Sequence, residues 1–338
     1  MKIQEYYSLG LHNSFGFDVK ARYFARITNR EELQALLARP IAMESPLLVL
    51  GEGSNILFRK DFDGLVISPS IRGIHVVRQD EEYVWVKAGA GERWDDLVAS
   101  CVRAGFGGVE NLSWIPGHTG AAPVQNIGAY GTELCELLEA VEVIRIDTRE
   151  KLLLRNAECR FSYRDSIFKS AMRDQFIITQ IVLRLRVVPK LRLDYSGIRE
   201  MLQEMGISKP GIGEVREAVI RIRSNKLPDP AVFGNAGSFF KNPIIGSDRL
   251  NALRQQFPDI PSFATEEGLS KIPAAWLIDQ CGWKGKKLGA VGVHDRQPLV
   301  LIHYGGGTGE ELLRLAAQIR ESVSRRFGIY LEEEVRII

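Results

Sequence analysis

Glycine clusters and one long loop carry the residues best suited to chemistry. Gly51-Glu52-Gly53-Ser54-Asn55 follows directly on the apolar run 47–50. Glycines let successive backbone N–H groups face one concavity and hold a phosphate, while Ser54 and Asn55 add side-chain donors. A plain tight turn between strands accounts for the same residues about as well. Gly89-Ala90-Gly91-Glu92-Arg93-Trp94 opens a helix, but Trp94 stands where a dinucleotide fingerprint needs its third glycine. No acidic residue on a following strand repairs the pattern, which speaks against a nicotinamide Rossmann domain. Gly305-Gly306-Gly307-Thr308-Gly309 reads as a surface turn.

The long loop is Ile115-Pro116-Gly117-His118-Thr119-Gly120-Ala121-Ala122-Pro123-Val124-Gln125-Asn126-Ile127-Gly128-Ala129-Tyr130-Gly131. Its small residues let a large flat ligand approach the backbone, and Gln125 and Asn126 offer amide donors and acceptors. On residues alone this is a binding loop for something large and polar. Three other side chains have ordinary readings. Arg164 beside Asp165 reads as a surface ion pair, and Ser238 between Gly237 and Phe239 as a turn hydroxyl. Glu334 ends the triplet Glu332-Glu333-Glu334, a solvated strand edge whose alternation puts Glu332 and Glu334 on one face. The five histidines show no metal-ligand spacing, so no metal is predicted.

The elements that position these residues follow from periodicity and caps. Thr28-x-x-Glu31 predicts a capping box opening a helix through Leu37, stopped by Pro40. Strands are expected at 47–50, 65–67, 83–86, 141–146, 152–154 and 176–188, and a helix at 92–104 closed by Gly105. Between 105 and 134 regular structure fails, and a structureless stretch that long is usually functional. Helices follow at 214–223, at 247–257 with a Ser247 cap, and at 310–327, boxed by Thr308-x-x-Glu311 and closed by Gly328. Leu227-Pro228-Asp229-Pro230 marks a domain boundary, and 330–338 is a closing strand.

A chain of 338 residues suggests two or three domains. Its 44 basic and 42 acidic residues are mixed along the chain, unlike the basic stripe of a nucleic-acid binder. Cys101, Cys135, Cys159 and Cys281 are far apart and read as free thiols in a reducing compartment. With no secretory signal visible and no apolar run near the ~20 residues a membrane helix needs, the expectation is a cytoplasmic protein with no membrane partner.

The 51–55 turn and the 115–131 loop together resemble the FAD-binding domain of the vanillyl-alcohol oxidase type. Further strings resemble the UDP-N-acetylenolpyruvoylglucosamine reductases. They are Tyr163-Arg164-Asp165-Ser166-Ile167-Phe168-Lys169, Lys226-Leu227-Pro228-Asp229-Pro230, Asn235-Ala236-Gly237-Ser238-Phe239-Phe240-Lys241-Asn242-Pro243, Ala275-Trp276-Leu277-Ile278-Asp279-Gln280, Val293-His294 and Glu334-Val335-Arg336. Six strings in order over nearly the whole chain are very specific. Leu193-Asp194-Tyr195-Ser196 resembles the tyrosine loop of one subclass, which folds over bound substrate. A proline is common in the family where Glu333 stands.

The resemblance implies an α+β chain with a two-subdomain FAD-binding domain and a C-terminal α+β substrate-binding domain. Segments 1–70 and 71–224 would hold FAD, with the strand 331–338 returning to the second, and 225–330 would bind the sugar nucleotide. It further implies a monomer that reduces UDP-N-acetylglucosamine enolpyruvate with NADPH through FAD, in a ping-pong sequence, to UDP-N-acetylmuramate. Gly51, Gly53, Ser54 and Asn55 would hold the cofactor, with Ile115, Pro116, Gly117, Gly120 and Ala121. Gln125, Asn126, Gly128 and Tyr130 complete that set. FAD is expected to bind non-covalently, although His118 lies where some relatives tether it. Tyr163, Tyr195, Lys226, Asn242 and Gln297 would contact substrate or NADPH. Arg164 and a protonated or proton-sharing Glu334 would stabilise the enolate, and Ser238 would protonate it, with Lys241 as a helper. Two rivals differ in class: an oxidase of the same superfamily, and a non-catalytic module that binds a flavin or sugar nucleotide.

Overall fold

Alternating apolar runs and capped amphipathic helices build the chain, a computed structural model describing residues 1–195, 197–265 and 268–338. Ser196, the last residue of the tyrosine-loop string, lies outside the described residues. Two compact units form. The first comprises Met1–Ser8, Lys20–Gly53 and Phe62–Asn225, and the second Leu9–Val19, Ser54–Asp61 and Lys226–Ile338.

In the first unit, β1 (Ile3–Ser8), β2 (Lys20–Ile27), β3 (Leu47–Val49) and β5 (Phe62–Pro69) make a sheet in the order β1-β2-β5-β3. The β2–β5 and β3–β5 pairs are parallel. Helices α1 (Arg30–Leu37) and α2 (Pro40–Glu44) accompany it, and Leu33, Leu36 and Leu37 pack on Ala25, Ile27, Leu65 and Ile67. The second sheet is antiparallel, in the order β11-β10-β12-β7-β6. Its strands are β6 (Ile74–Gln79), β7 (Tyr83–Gly89), β10 (Leu138–Arg145), β11 (Lys151–Arg155) and β12 (Phe176–Arg186). Helix α3 (Trp94–Arg103) buries Trp94, Leu97, Val98 and Cys101 in the same core as Val84, Val86, Ile181 and Leu183. Trp94, the residue that breaks the glycine fingerprint, is 1% exposed and donates its indole N–H to the Leu112 carbonyl at 2.8 Å. A short hairpin, β8 (Gly128–Ala129) and β9 (Thr132–Glu133), interrupts the long loop. Helices α4 (Ile198–Glu204) and α5 (Ile212–Lys226) pack through Ile198, Leu202, Ala218 and Val219.

The second unit holds small sheets. One joins β13 (Ile244–Gly246), β14 (Phe263–Ala264) and β15 (Leu269–Lys271), and another β16 (Lys287–Leu288), β17 (Val291–Val293) and β18 (Leu301–His303). Helices α6 (Ser247–Gln256), α7 (Ala274–Gln280) and α8 (Gly309–Phe327) cover them. Strand β19 (Arg336–Ile337) runs parallel to β4 (Ile56–Leu57). The expected return of 331–338 to the 71–224 segment is therefore corrected. Arg336 and Ile338 donate their N–H groups to the Asn55 and Leu57 carbonyls at 3.1 and 2.9 Å, and all four residues lie in the second unit.

Caps explain which helix limits were legible. Thr308 and Glu311 form the expected reciprocal box on α8, and Gly328 closes it at φ 61°. Two other caps sit one residue from the expected place. Asn29, not Thr28, caps α1 by accepting the Glu32 N–H at 2.8 Å, while Thr28 donates to the Glu32 carboxylate. Gly246, not Ser247, precedes α6. Removing the Thr308 hydroxyl leaves the Glu311 N–H of α8 without its side-chain partner. Thr308→Ala is expected to lower unfolding stability by about 1 kcal/mol, read as a shift of the urea midpoint.

Candidate active site

Strand β3 ends at the 51–53 turn, where Gly53 adopts φ 73°, a conformation that side chains disfavour. Glu52 accepts the Gly117 N–H at 2.8 Å and pairs with Arg93 at 3.3 Å, which ties this turn to the long loop. A Cβ on Gly51 would stand 3.5 Å from that of His118. The buried His118 Nδ1 has no hydrogen-bond partner among the described residues. Burial pushes the His118 pKa down, against the pull of Glu52, so the ring is neutral at pH 7. Further along, Gly120 donates its N–H to Ala90 at 3.0 Å, and a Cβ there would come within 2.6 Å of the Ala90 Cβ. The Thr119 hydroxyl bonds the Gly89 carbonyl. Gly89 and Gly91 in turn lie against the 70–72 backbone, since a Cβ on Gly89 would collide with Ile71 and one on Gly91 with Ser70 and Ile71. A glycine turn, a loop held against it backbone to backbone, and an orphaned buried imidazole nitrogen fit a large polar cofactor such as FAD. Ile115, Pro116 and Ala121 lie on the same stretch, Ala121 exposed.

The far half of the loop is committed inward. Asn126, 0% exposed, donates to the Glu133 carboxylate at 2.9 Å and the Ser162 carbonyl at 3.1 Å, and accepts the Cys135 N–H at 3.0 Å. Both ends of its amide are engaged within the protein, so Asn126 holds the 162–165 loop. Reciprocal bonds between Ser162 and Asp165 at 3.1 and 3.2 Å close that loop and present Tyr163 and Arg164. Arg164 has φ 57°, lies 5.3 Å from the Tyr163 ring and donates Nη2 to the Gly128 carbonyl at 2.7 Å. The Lys169 ammonium holds the Arg164 carbonyl at 3.2 Å. Tyr130, at φ 49°, meets the Tyr195 ring edge-on at 5.5 Å, and burial raises its phenol pKa. Gln125, next to Asn126, is half-buried.

Arg223 went unnoticed in the sequence. Its Nε donates to the Trp114 carbonyl at 3.0 Å, and burial lowers its pKa within the influence of Tyr130, Asp95 and Arg164. Asp95 in turn accepts the Trp114 N–H at 2.6 Å and both Arg216 Nη donors at 2.7 and 2.8 Å. The only sequence signal was its place one turn before Lys226 on a helix.

In the second unit one ladder carries two expected catalytic residues. Phe239 donates to Leu299 at 2.8 Å, Lys241 to the Glu332 carbonyl at 2.9 Å, and Glu334 to the Phe239 carbonyl at 2.8 Å. Ser238 bridges Val300 and Phe240 bridges Glu333, both antiparallel. Asn235 closes the turn before Ser238, accepting the Gly237 N–H at 3.0 Å and donating to the Phe233 carbonyl at 2.8 Å. Asn55 donates to the Glu334 carbonyl at 3.2 Å, next to Ser54 on the same segment. Lys241 pairs with Glu332 at 3.2 Å. Asn242 accepts the Ala274 N–H at 2.9 Å and starts α7. Gln297 is buried among 294–300 backbone, and Lys226 is exposed at the end of α5. Among the described residues no three His, Cys, Asp or Glu side chains stand together as a metal site, and no helix is long and apolar enough to cross a membrane.

Two family profiles match, an FAD binding domain over residues 21–149 and the C-terminal domain of UDP-N-acetylenolpyruvoylglucosamine reductase over 229–338. Proteins named UDP-N-acetylenolpyruvoylglucosamine reductase are similar along their full length. That of Amoebophilus asiaticus is 46% identical over 338 residues, covering 100% of both chains. That of Cupriavidus pinatubonensis is 47% identical over 330 residues, covering 98% of this chain and 97% of its own. The chain belongs to the UDP-N-acetylenolpyruvoylglucosamine reductase family. It is an FAD-dependent oxidoreductase. A solved reductase of that name from Thermus caldophilus shares the fold, with a TM-score of 0.66 at 24% identity over 99% of this chain and 98% of that one. The α+β expectation, with an FAD-binding domain ahead of a reductase C-terminal domain, is borne out.

Two outcomes follow. Gly53→Val should strip flavin, because a β-branched residue resists φ 73°, read as loss of the flavin absorbance relative to protein absorbance. His118, with a folded pKa below the unfolded one, binds its proton more readily when unfolded. Stability is therefore fully present above the ordinary histidine value of about 6.5 and is lost as pH falls below it through the depressed folded pKa. His118→Gln should flatten that part of the midpoint-versus-pH curve.

Proposed function

We propose that the chain reduces UDP-N-acetylglucosamine enolpyruvate to UDP-N-acetylmuramate with NADPH, as a cytoplasmic monomer serving peptidoglycan precursor synthesis. Full-length identity to reductases of that name carries this reading. FAD, bound non-covalently, supplies the chemistry that relays a hydride from NADPH to the substrate in a ping-pong sequence.

The residues of the chain manage the charge and the proton. When a hydride adds to the terminal vinyl carbon, the electron pair of the double bond moves toward the carboxylate as an enolate. Arg164, planar and anchored through the Gly128 carbonyl, suits that carboxylate with paired N–H donors. Glu334 takes a share of the same developing charge. A proton must then reach the adjacent carbon, and Ser238 donates it. An alcohol is a weak acid, so this role needs a fixed position, and the bonds of Phe239 to Leu299 and Glu334 supply one. Lys226 pairs with phosphate as a mobile point charge, and Tyr163, Tyr195, Asn242 and Gln297 contact the substrate or NADPH. Gly51, Gly53, Ser54, Asn55, Gly117 and Gly120 line the cofactor.

Ser238→Ala separates the half-reactions. Flavin reduction by NADPH should stay near the wild-type rate, whereas reoxidation by the enolpyruvyl nucleotide should slow about 10²–10⁴-fold, the range for a lost general acid. Stopped-flow absorbance of the flavin reads both halves. Equal slowing of the two would remove Ser238 as the proton donor, and reoxidation by oxygen alone would favour an oxidase.

A further inference from the structure

Asn111 belongs to none of the sets above, yet its amide joins two loops of the first unit. It lies in the short 3-10 turn Glu110–Leu112 and is 1% exposed. Its Nδ2 donates to the Tyr130 carbonyl at 2.8 Å and to the Arg192 carbonyl at 3.0 Å. Both hydrogens of one amide are therefore used, each on a different loop. Arg192 is also held by its side chain, whose Nη1 donates to the Gly131 carbonyl at 3.0 Å and pairs with Glu136 at 2.5 Å.

Three residues beyond this anchor stands Tyr195. Its ring packs edge-on against Tyr130 at 5.5 Å, and a Cβ on Gly131 would stand 3.6 Å from its Cδ2. Three residues reach at most about 10 Å, so fixing Arg192 confines Tyr195 to the neighbourhood of the 130–131 turn. We propose that Asn111 is a positioning residue that seats Tyr195 on the Tyr130–Gly131 turn of the flavin loop. One planar amide cannot follow one loop without abandoning the other, so the two loops are held in a single register. Tyr130 is read as a cofactor contact and Tyr195 as a substrate contact, and the proposal rests on that reading. Substrate affinity then depends on the order of the flavin loop, a coupling carried by two hydrogen bonds.

Steady-state kinetics of the flavin-loaded enzyme, with UDP-N-acetylglucosamine enolpyruvate varied, test this. Tyr195→Ala and Asn111→Ala should each raise KM by about tenfold with kcat changed by less than about threefold. The double variant should be no worse than the poorer single one, because both remove the same contact. Arg192→Ala, at an exposed side chain, should raise KM in the same direction by a smaller factor, and it repeats the cycle if Asn111→Ala does not fold. Independent, multiplying effects in the double variant would overturn the proposal, as would an Asn111→Ala enzyme with a lowered melting temperature and a wild-type KM. A silent Tyr195→Ala would instead show that Tyr195 is no substrate contact, which is the failure of the underlying reading.

Discussion

Backbone lying directly on backbone is the constraint from which the first unit's candidate site follows. The 115–131 loop rests on the 89–91 turn, with Gly120 bonded to Ala90, Thr119 to Glu92, and Trp94 to Gly117 at 2.8–3.0 Å. Such approach requires that no Cβ intervene, and Gly120 leaves that space empty against Ala90, while Gly89 and Gly91 do the same for the turn against the 70–72 backbone. A stretch with no helical or strand period still becomes ordered because its polar groups are paired one by one with neighbours. Trp94 supports the arrangement from below, its indole N–H holding Leu112 where a third glycine would have left a void.

The position of Arg164 depends on that seat. Its guanidinium is anchored on the Gly128 carbonyl, and the loop that presents it is bonded to Asn126. Truncating Asn126 would strand buried donors and acceptors on three partners, at a cost of about 1–3 kcal/mol for each group left unpaired. The Asn126 amide thus acts on the protein, and the guanidinium groups of Arg164 and Arg223 bring positive charge close together. Like charges kept close need neutral or anionic company, and Tyr130 and Asp95 both act to hold Arg223 protonated.

What could be read in the sequence was local. Helix α8 announced itself because its box and closing glycine act within one turn, and Gly105 after α3 did the same at φ 82°. The strand at 330–338 was seen as a strand but misplaced, because its partner lies some 280 residues away at 56–57 and pairing distance leaves no mark on composition. Asn126 was recognised as a polar amide in the right loop, yet its sequence neighbours gave no hint that Ser162 would claim it. Asn111 and Arg223 were invisible for the same reason, since a buried polar residue is defined by partners that only the fold supplies. Chemistry-bearing types and their order were legible; which of them serve a ligand and which serve the frame was not.

The acidic triplet shows how the frame distributes three neighbouring carboxylates. Three consecutive carboxylates would repel one another and pull the strand toward solvent. Glu332 pairs with Lys241 at 3.2 Å and Glu333 with Arg320 at 2.6 Å. Exposed pairs of this kind contribute little stability, so their effect is to sort charge. Glu334 is set by main-chain bonds instead, from its N–H to Phe239 and from Asn55 to its carbonyl. Ser238 is likewise placed by the backbone of Phe239, whose ring is buried against Phe240. Because the backbone fixes both residues, their side chains can be changed with the ladder left intact.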